Sequence, residues 1–125
     1  MSSLIERIKN ELNEAGIKFN YVNKQVQIPL PNDFDTLIVE IWKDDEDSIS
    51  LMNGNFHTHG DIEAREYGLE NREKGVRHLA ESILNGKFKM VKLNNDDGTK
   101  ENTIWDTYSL EYIDQYTNYE IISEI

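Results

Sequence analysis

Two histidines and an aspartate at alternate positions, His57, His59 and Asp61, form the segment whose residue types could perform chemistry. On an extended strand these three side chains would share one face, because successive side chains point to opposite sides. Two imidazoles at this spacing can reach one metal ion, with the carboxylate as a third ligand and water at the open position. Zinc, ferrous iron or nickel would suit these ligands. The segment therefore predicts, as one alternative, a metal-dependent hydrolase.

A second interpretation of the same residues is a pair of exposed polar side chains at the end of a strand. The His57-Thr58-His59 pattern resembles the first motif of a metal-dependent phosphoesterase family. That resemblance implies a much larger barrel and several further metal ligands, whereas the chain offers only one more histidine, His78. The non-catalytic interpretation is therefore favoured. We expect no bound cofactor and leave enzymatic activity open.

A hairpin is predicted to position these histidines. Asn53-Gly54 is a strong signal for a tight turn between two antiparallel strands. Such a hairpin would pair Ile49 with Thr58 on the side that faces the core. It would place His57 on the opposite side, beside Ser50.

The remaining pattern predicts a single α+β domain over residues 1–125, since this length supplies material for one core. Apolar residues recur at helical spacing in residues 4–15 and 76–84, and residues 60–71 are predicted to be irregular. Alternating or β-branched segments predict strands at 17–21, 25–28, 36–43, 48–52, 87–93, 101–112 and 118–123. The expected order is α-β-β-β-β-α-β-β-β, with two helices packed on one face of a mostly antiparallel sheet of about six or seven strands. Residues 107–119 also carry tyrosines at helical spacing, so strand and helix both stay open there.

The composition narrows the class of protein. The chain has no cysteine, which excludes disulfides and thiolate metal sites, and no apolar run long enough to span a bilayer. These features predict a cytoplasmic protein that does not bind membranes. The net charge is −11, and residues 31–66 carry ten acidic and two basic residues. Such a surface repels phosphate, so direct binding of nucleic acid is not expected.

An acidic surface of this kind suits a basic protein partner. Tyrosines are favoured in interfaces, because they bury a large area at low entropic cost. The oligomeric state is not indicated by the sequence. The predicted partner-binding residues are Asp33, Asp35, Asp44, Asp45, Glu46, Asp47, Tyr112 and Tyr116.

In style the chain resembles small acidic α+β immunity proteins of Gram-positive bacteria, which belong to polymorphic toxin systems. The segments that carry the resemblance are 37–42, the acidic turn 44–47, 56–59 and 76–86. The resemblance implies that the protein binds and blocks a basic toxin, often a nuclease, and it assigns no role to any single residue. A third alternative is a nucleic-acid mimic that inhibits a DNA-binding protein. It is disfavoured, because residues 67–100 are net basic.

Overall fold

The computed structural model describes residues 3–42, 46–105 and 118–122. These residues form an α+β structure with antiparallel sheets, as the sequence predicted. The helices are α1 (Leu4–Glu14), α2 (Gly60–Glu66) and α3 (Arg72–Leu84). The strands are β1 (Asn20–Val22), β2 (Gln25–Pro29), β3 (Thr36–Ile41), β4 (Asp47–Leu51), β5 (His57–Thr58), β6 (Lys89–Asn94), β7 (Lys100–Trp105) and β8 (Tyr119–Ile121).

Helix α1 begins and ends where its capping residues predict. The Ser3 hydroxyl accepts a hydrogen bond from the Glu6 backbone N–H at 3.3 Å, which satisfies one of the free donors of the first turn. Gly16 follows the helix with φ +71°, the left-handed conformation that ends many helices. The buried stripe of α1 consists of Leu4, Ile8 and Leu12.

Five strands form the first sheet, in the sequential order β1-β2-β3-β4-β5. The turn between β1 and β2 consists of Asn23 and Lys24, both with positive φ (51° and 64°). Two positive φ values in a two-residue turn match the right-handed twist of a hairpin. Strand β3 lies in the middle of this sheet, as its β-branched, largely apolar sequence predicted.

The register between β4 and β5 confirms the predicted hairpin. Ile49 pairs with Thr58, and Ser50 pairs with His57. The ladder is limited to these two pairs, and two N–H groups of the connecting segment bond to other parts of the fold. The Asn53 N–H donates to the Asp35 carboxylate at 3.1 Å, and the Asn55 N–H donates to the carbonyl of residue 102 at 2.7 Å.

The prediction of one continuous sheet is wrong. Strands β6, β7 and β8 form a separate three-stranded sheet in the order β7-β6-β8. A single bridge between Gly54 and Asn102 links the β4–β5 turn to β7. The two backbones approach so closely that a Cβ on Gly54 would lie 2.6 Å from the Asn102 carbonyl oxygen. The described residues form eight strands, whereas about six or seven were predicted.

The prediction of two helices is also wrong, because residues 60–66 form α2. Helix α3 packs against both α1 and α2. Gly60 and Gly75 allow the close crossing of α2 and α3, since a Cβ on Gly75 would lie 2.0 Å from the Gly60 carbonyl oxygen. Among the described residues no helix has the length and apolar character needed to cross a bilayer.

One cluster of buried apolar residues joins the helices to both sheets. It includes Leu12 of α1, Ile83 of α3 and Val39 of the first sheet, each with no exposed surface. Met90 extends the same cluster into the second sheet. Each buried side chain of this size stabilises the fold by about 1.5–3 kcal/mol relative to its exposed state.

Candidate functional site

A partly exposed cluster of aromatic rings lies where β3 and β5 end beside the start of β4. It consists of Trp42, His57 and His59, and we call it the aromatic cluster. The Trp42 and His57 rings stack with centroids 6.4 Å apart, and His57 and His59 meet edge to face at 4.6 Å. Trp42 and His59 also meet edge to face, at 6.0 Å.

The sheet register explains why these side chains point away from the core. His57 pairs with Ser50, whose strand neighbours Ile49 and Leu51 are both buried in the core. Because side chains alternate along a strand, Ser50 and His57 occupy the opposite face. Trp42 directly follows β3 and is half exposed, at 50%.

Hydrogen bonds hold both imidazoles in place. The His57 Nε2 and Ser48 Oγ atoms are 2.8 Å apart and share a hydrogen bond. The His59 Nδ1–H donates to the backbone carbonyl of Asp47 at 2.5 Å. Both bonds connect the rings to β4, an interior strand of the first sheet. The aromatic cluster is therefore fixed by the fold.

Asp47 lies beneath this cluster and is fully buried. Its carboxylate accepts a 2.6 Å hydrogen bond from the Gly60 N–H and lies 3.3 Å from Arg72 Nη1. Burial raises the pKa of the Asp47 carboxyl, and the Gly60 hydrogen bond and the Arg72 charge oppose that rise. This carboxylate was predicted to bind a partner. The structure places it at the N-terminus of α2.

Asp61, the third predicted metal ligand, lies in α2. Its carboxylate is 3.7 Å from Arg65 Nη2 and 4.0 Å from Arg72 Nη2. Within the described ranges no group of three or more His, Asp or Glu side chains is arranged to hold a metal ion. The rings of His57 and His59 contact each other, whereas the Asp61 carboxylate pairs with Arg65 and Arg72.

The other predicted partner-binding residues are dispersed. Asp33 is exposed in the turn after β2, and Glu46 is exposed just before β4. Asp35 is buried, and its carboxylate accepts hydrogen bonds from the backbone of Thr36 and Asn53. The predictions for Asp44, Asp45, Tyr112 and Tyr116 fall outside the described residues.

Two features of the surface were missed from the sequence. Trp42 belongs to the predicted strand 36–43, and its even-numbered position places it on the face of Glu40 and opposite Val39. The sequence indicates no partner for His78, but its Nδ1 lies 3.2 Å from the Glu63 carboxylate and its ring packs 4.3 Å from that of Tyr67. The pairing of His78 with Glu63 joins two helices, and helical spacing alone does not indicate it.

Comparison of the chain with protein-family models, with curated proteins and with solved structures gives no match.

Proposed function

We propose that the protein is a cytoplasmic protein-binding module whose contact surface is centred on the aromatic cluster and whose partner is a basic protein. The observation that carries the proposal is a half-exposed tryptophan, Trp42, whose ring stacks on His57 and meets His59 edge to face at the open face of the sheet. Tryptophan is among the residues most enriched at the energetic centres of protein interfaces.

Rigidity supports this assignment. Binding orders side chains at an entropic cost of about 0.5–1.5 kcal/mol for each flexible side chain. Ser48 and the Asp47 carbonyl already hold the two histidines. A partner that covers Trp42 would therefore meet a surface that needs little further ordering.

Charge supports a basic partner. The chain carries a net charge of −11, and Glu46 is exposed close to Trp42. The backbone N–H of Trp42 donates to the Glu46 backbone carbonyl at 2.6 Å. An acidic field speeds the approach of a basic protein, and salt screens that effect. An immunity protein that blocks a basic toxin is the specific form of this proposal.

The test is calorimetric titration with a purified basic toxin domain, to be sought among the products of the neighbouring genes. Trp42→Ala should weaken the complex by about 2 kcal/mol, or about thirtyfold, because it removes the central ring. Tyr21→Ala is the matched control, because Tyr21 is similarly exposed (46%) on the opposite edge strand of the same sheet. It should change the affinity less than threefold, or about 0.7 kcal/mol.

The same titration is repeated at low and at high salt. The affinity should fall as salt rises, since salt screens the attraction between the opposite charges of the two proteins. Equal losses for Trp42→Ala and Tyr21→Ala would contradict the assigned surface. The absence of any complex at low salt would contradict the proposed function.

A further inference from the structure

A cavity of about 190 Å³ opens between β5, α2, α3 and the second sheet. Its walls combine apolar side chains with polar groups, and one of these is the buried carboxylate of Glu63. The described residues that define its chemistry are Phe56, Ile62, Glu63, Leu79, Phe88 and Ile104. Among the described residues, the cavity meets the aromatic cluster only at His57, which contributes to one side of the lining.

Glu63 gives the cavity its charge. Its exposed fraction is 6%, and its carboxylate lies 3.2 Å from His78 Nδ1. The His78 ring donates this hydrogen bond, and the carboxylate oxygens accept. Glu66 adds a second, exposed carboxylate to the same lining. The interior therefore favours a cation over an anion.

The aromatic rings of the lining also favour a positively charged ligand. Phe56 and Phe88 both line the cavity, and the face of an aromatic ring attracts a cation. Leu79 and Ile104 supply aliphatic surface that suits a hydrocarbon chain. A ligand with a positive end and an apolar body fits both parts of the lining.

Size limits the length of that body. One water occupies about 30 Å³ of liquid, so the cavity corresponds to about six waters. A chain of four or five methylene groups with one terminal nitrogen has a similar number of heavy atoms. Drug-sized molecules need pockets of about 300 Å³ or more.

We propose that this cavity binds a primary ammonium group carried on a short aliphatic chain. The ammonium pairs with Glu63, and the methylenes pack on Phe88, Leu79 and Ile104. Two sources share this chemistry, a free alkylamine and the side chain of a lysine. The inference goes beyond the proposed function, because it does not depend on a partner that covers Trp42.

The first experiment is methyl NMR of the intact protein titrated with n-pentylammonium. Saturable shifts are expected for the Ile62, Leu79 and Ile104 methyls, with intermolecular NOEs from the ligand methylenes. Pentan-1-ol has the same shape without the charge and should bind at least about tenfold more weakly, because it cannot pair with the carboxylate. Equal binding of the alcohol, or no NOE to these methyls, would overturn the proposal.

The second experiment uses the variants Glu63→Gln and Glu70→Gln. Glutamine keeps the size of Glu63 and an acceptor for His78, but removes the charge. Affinity for n-pentylammonium should fall about tenfold or more in Glu63→Gln, as expected when a charged hydrogen-bond partner is lost. Glu70 is exposed and does not line the cavity, so Glu70→Gln should bind like the wild type. If Glu63→Gln does not fold, the NOEs in the wild type still decide the question.

A third titration distinguishes the two sources. Nα-acetyl-lysine N-methylamide presents the ammonium as a polypeptide would. Binding at least as tight as that of n-pentylammonium identifies a lysine side chain as the ligand, and much weaker binding identifies a free amine. Failure of both ligands to bind would overturn the cavity proposal and leave the tests of Trp42 unaffected.

Discussion

At the scale of single residues, Asp47 has a role that its acidic neighbours do not share. It belongs to a run of four acidic residues, yet it is fully buried while Glu46 is exposed. Its position at the start of β4 turns its side chain toward Gly60 and Arg72. A carboxylate that contacts two helices in this way stabilises the fold and is removed from the surface.

Asp47→Asn should change how stability depends on pH. Burial raises the pKa of Asp47 in the folded protein, so the folded state binds the proton more tightly than the unfolded chain. The stabilisation from protonation is therefore complete below the ordinary carboxyl pKa and is lost as pH rises through the raised value. The wild type should gain stability relative to Asp47→Asn as pH falls from about 7 to about 4, measured by urea unfolding.

Asp97→Asn is the control of opposite sign. Hydrogen bonds from the Thr99 hydroxyl and backbone lower the pKa of Asp97. The advantage of the wild type over Asp97→Asn should therefore stay unchanged from about pH 7 to about pH 5, and should shrink only as pH falls below the ordinary carboxyl pKa of about 4. Parallel pH profiles for the two variants would contradict the burial effect at Asp47.

At the scale of elements, helix α2 shows what local patterns cannot predict. Its N-cap residue, His59, makes no capping hydrogen bond with its side chain in the described structure. The capping group is the carboxylate of Asp47, which lies thirteen residues before Gly60 and accepts its N–H. A negative group at a helix N-terminus is stabilising. The charge-rich segment 60–71 therefore folds partly into a helix because of a contact across the fold.

Gly75→Ala should destabilise the protein, although alanine is the better helix former by about 1 kcal/mol. The added methyl would lie 2.0 Å from the Gly60 carbonyl oxygen, which belongs to the backbone and cannot rotate away. We expect a net loss of about 1–3 kcal/mol in the free energy of unfolding, measured with urea. Asn10→Ala, at an exposed site in α1, should be neutral or slightly stabilising. A stability gain for Gly75→Ala would contradict the close crossing of α2 and α3.

The sequence predicted those elements whose signals are local. The helical spacing of residues 4–15 and the pairing of Ile49 with Thr58 depend on residues close together in the chain. The face of His57 followed from that pairing. Trp42 joins His57 only after β3, β4 and β5 assemble, so the aromatic cluster could not be predicted from spacing.

At the scale of the whole molecule, Asn102 connects the two sheets. Its side-chain amide donates to the Phe34 carbonyl at 2.9 Å and to the Asp35 carboxylate at 3.1 Å. Its own carbonyl accepts from the Asn55 N–H. The two side-chain contacts of Asn102 span almost seventy residues. This distance along the chain explains why the pattern of strands did not predict a division into two sheets.

Asn102→Asp should weaken this connection. It replaces a donor with a second carboxylate next to buried Asp35, so two negative acceptors would face each other. We expect a loss of at least about 2 kcal/mol in the free energy of unfolding at neutral pH. Asn94→Asp is the matched control, because Asn94 pairs with Lys100 in the neighbouring register.

The control should change stability by less than about 0.5 kcal/mol, as surface substitutions usually do. Both variants are measured by urea unfolding under the same conditions. Equal stability of Asn102→Asp and the wild type would show that the two sheets do not depend on this asparagine.

The outer strands of the five-stranded sheet are much shorter than its inner ones. β1 has three residues and β5 two, whereas β2, β3 and β4 have five or six. A strand from a neighbouring molecule that joined either border would therefore gain few backbone hydrogen bonds. Short borders of this kind protect native sheets against intermolecular strand addition and amyloid growth. The tapered outline thus lets the protein display a tryptophan at high concentration while this sheet gives little template for fibril formation.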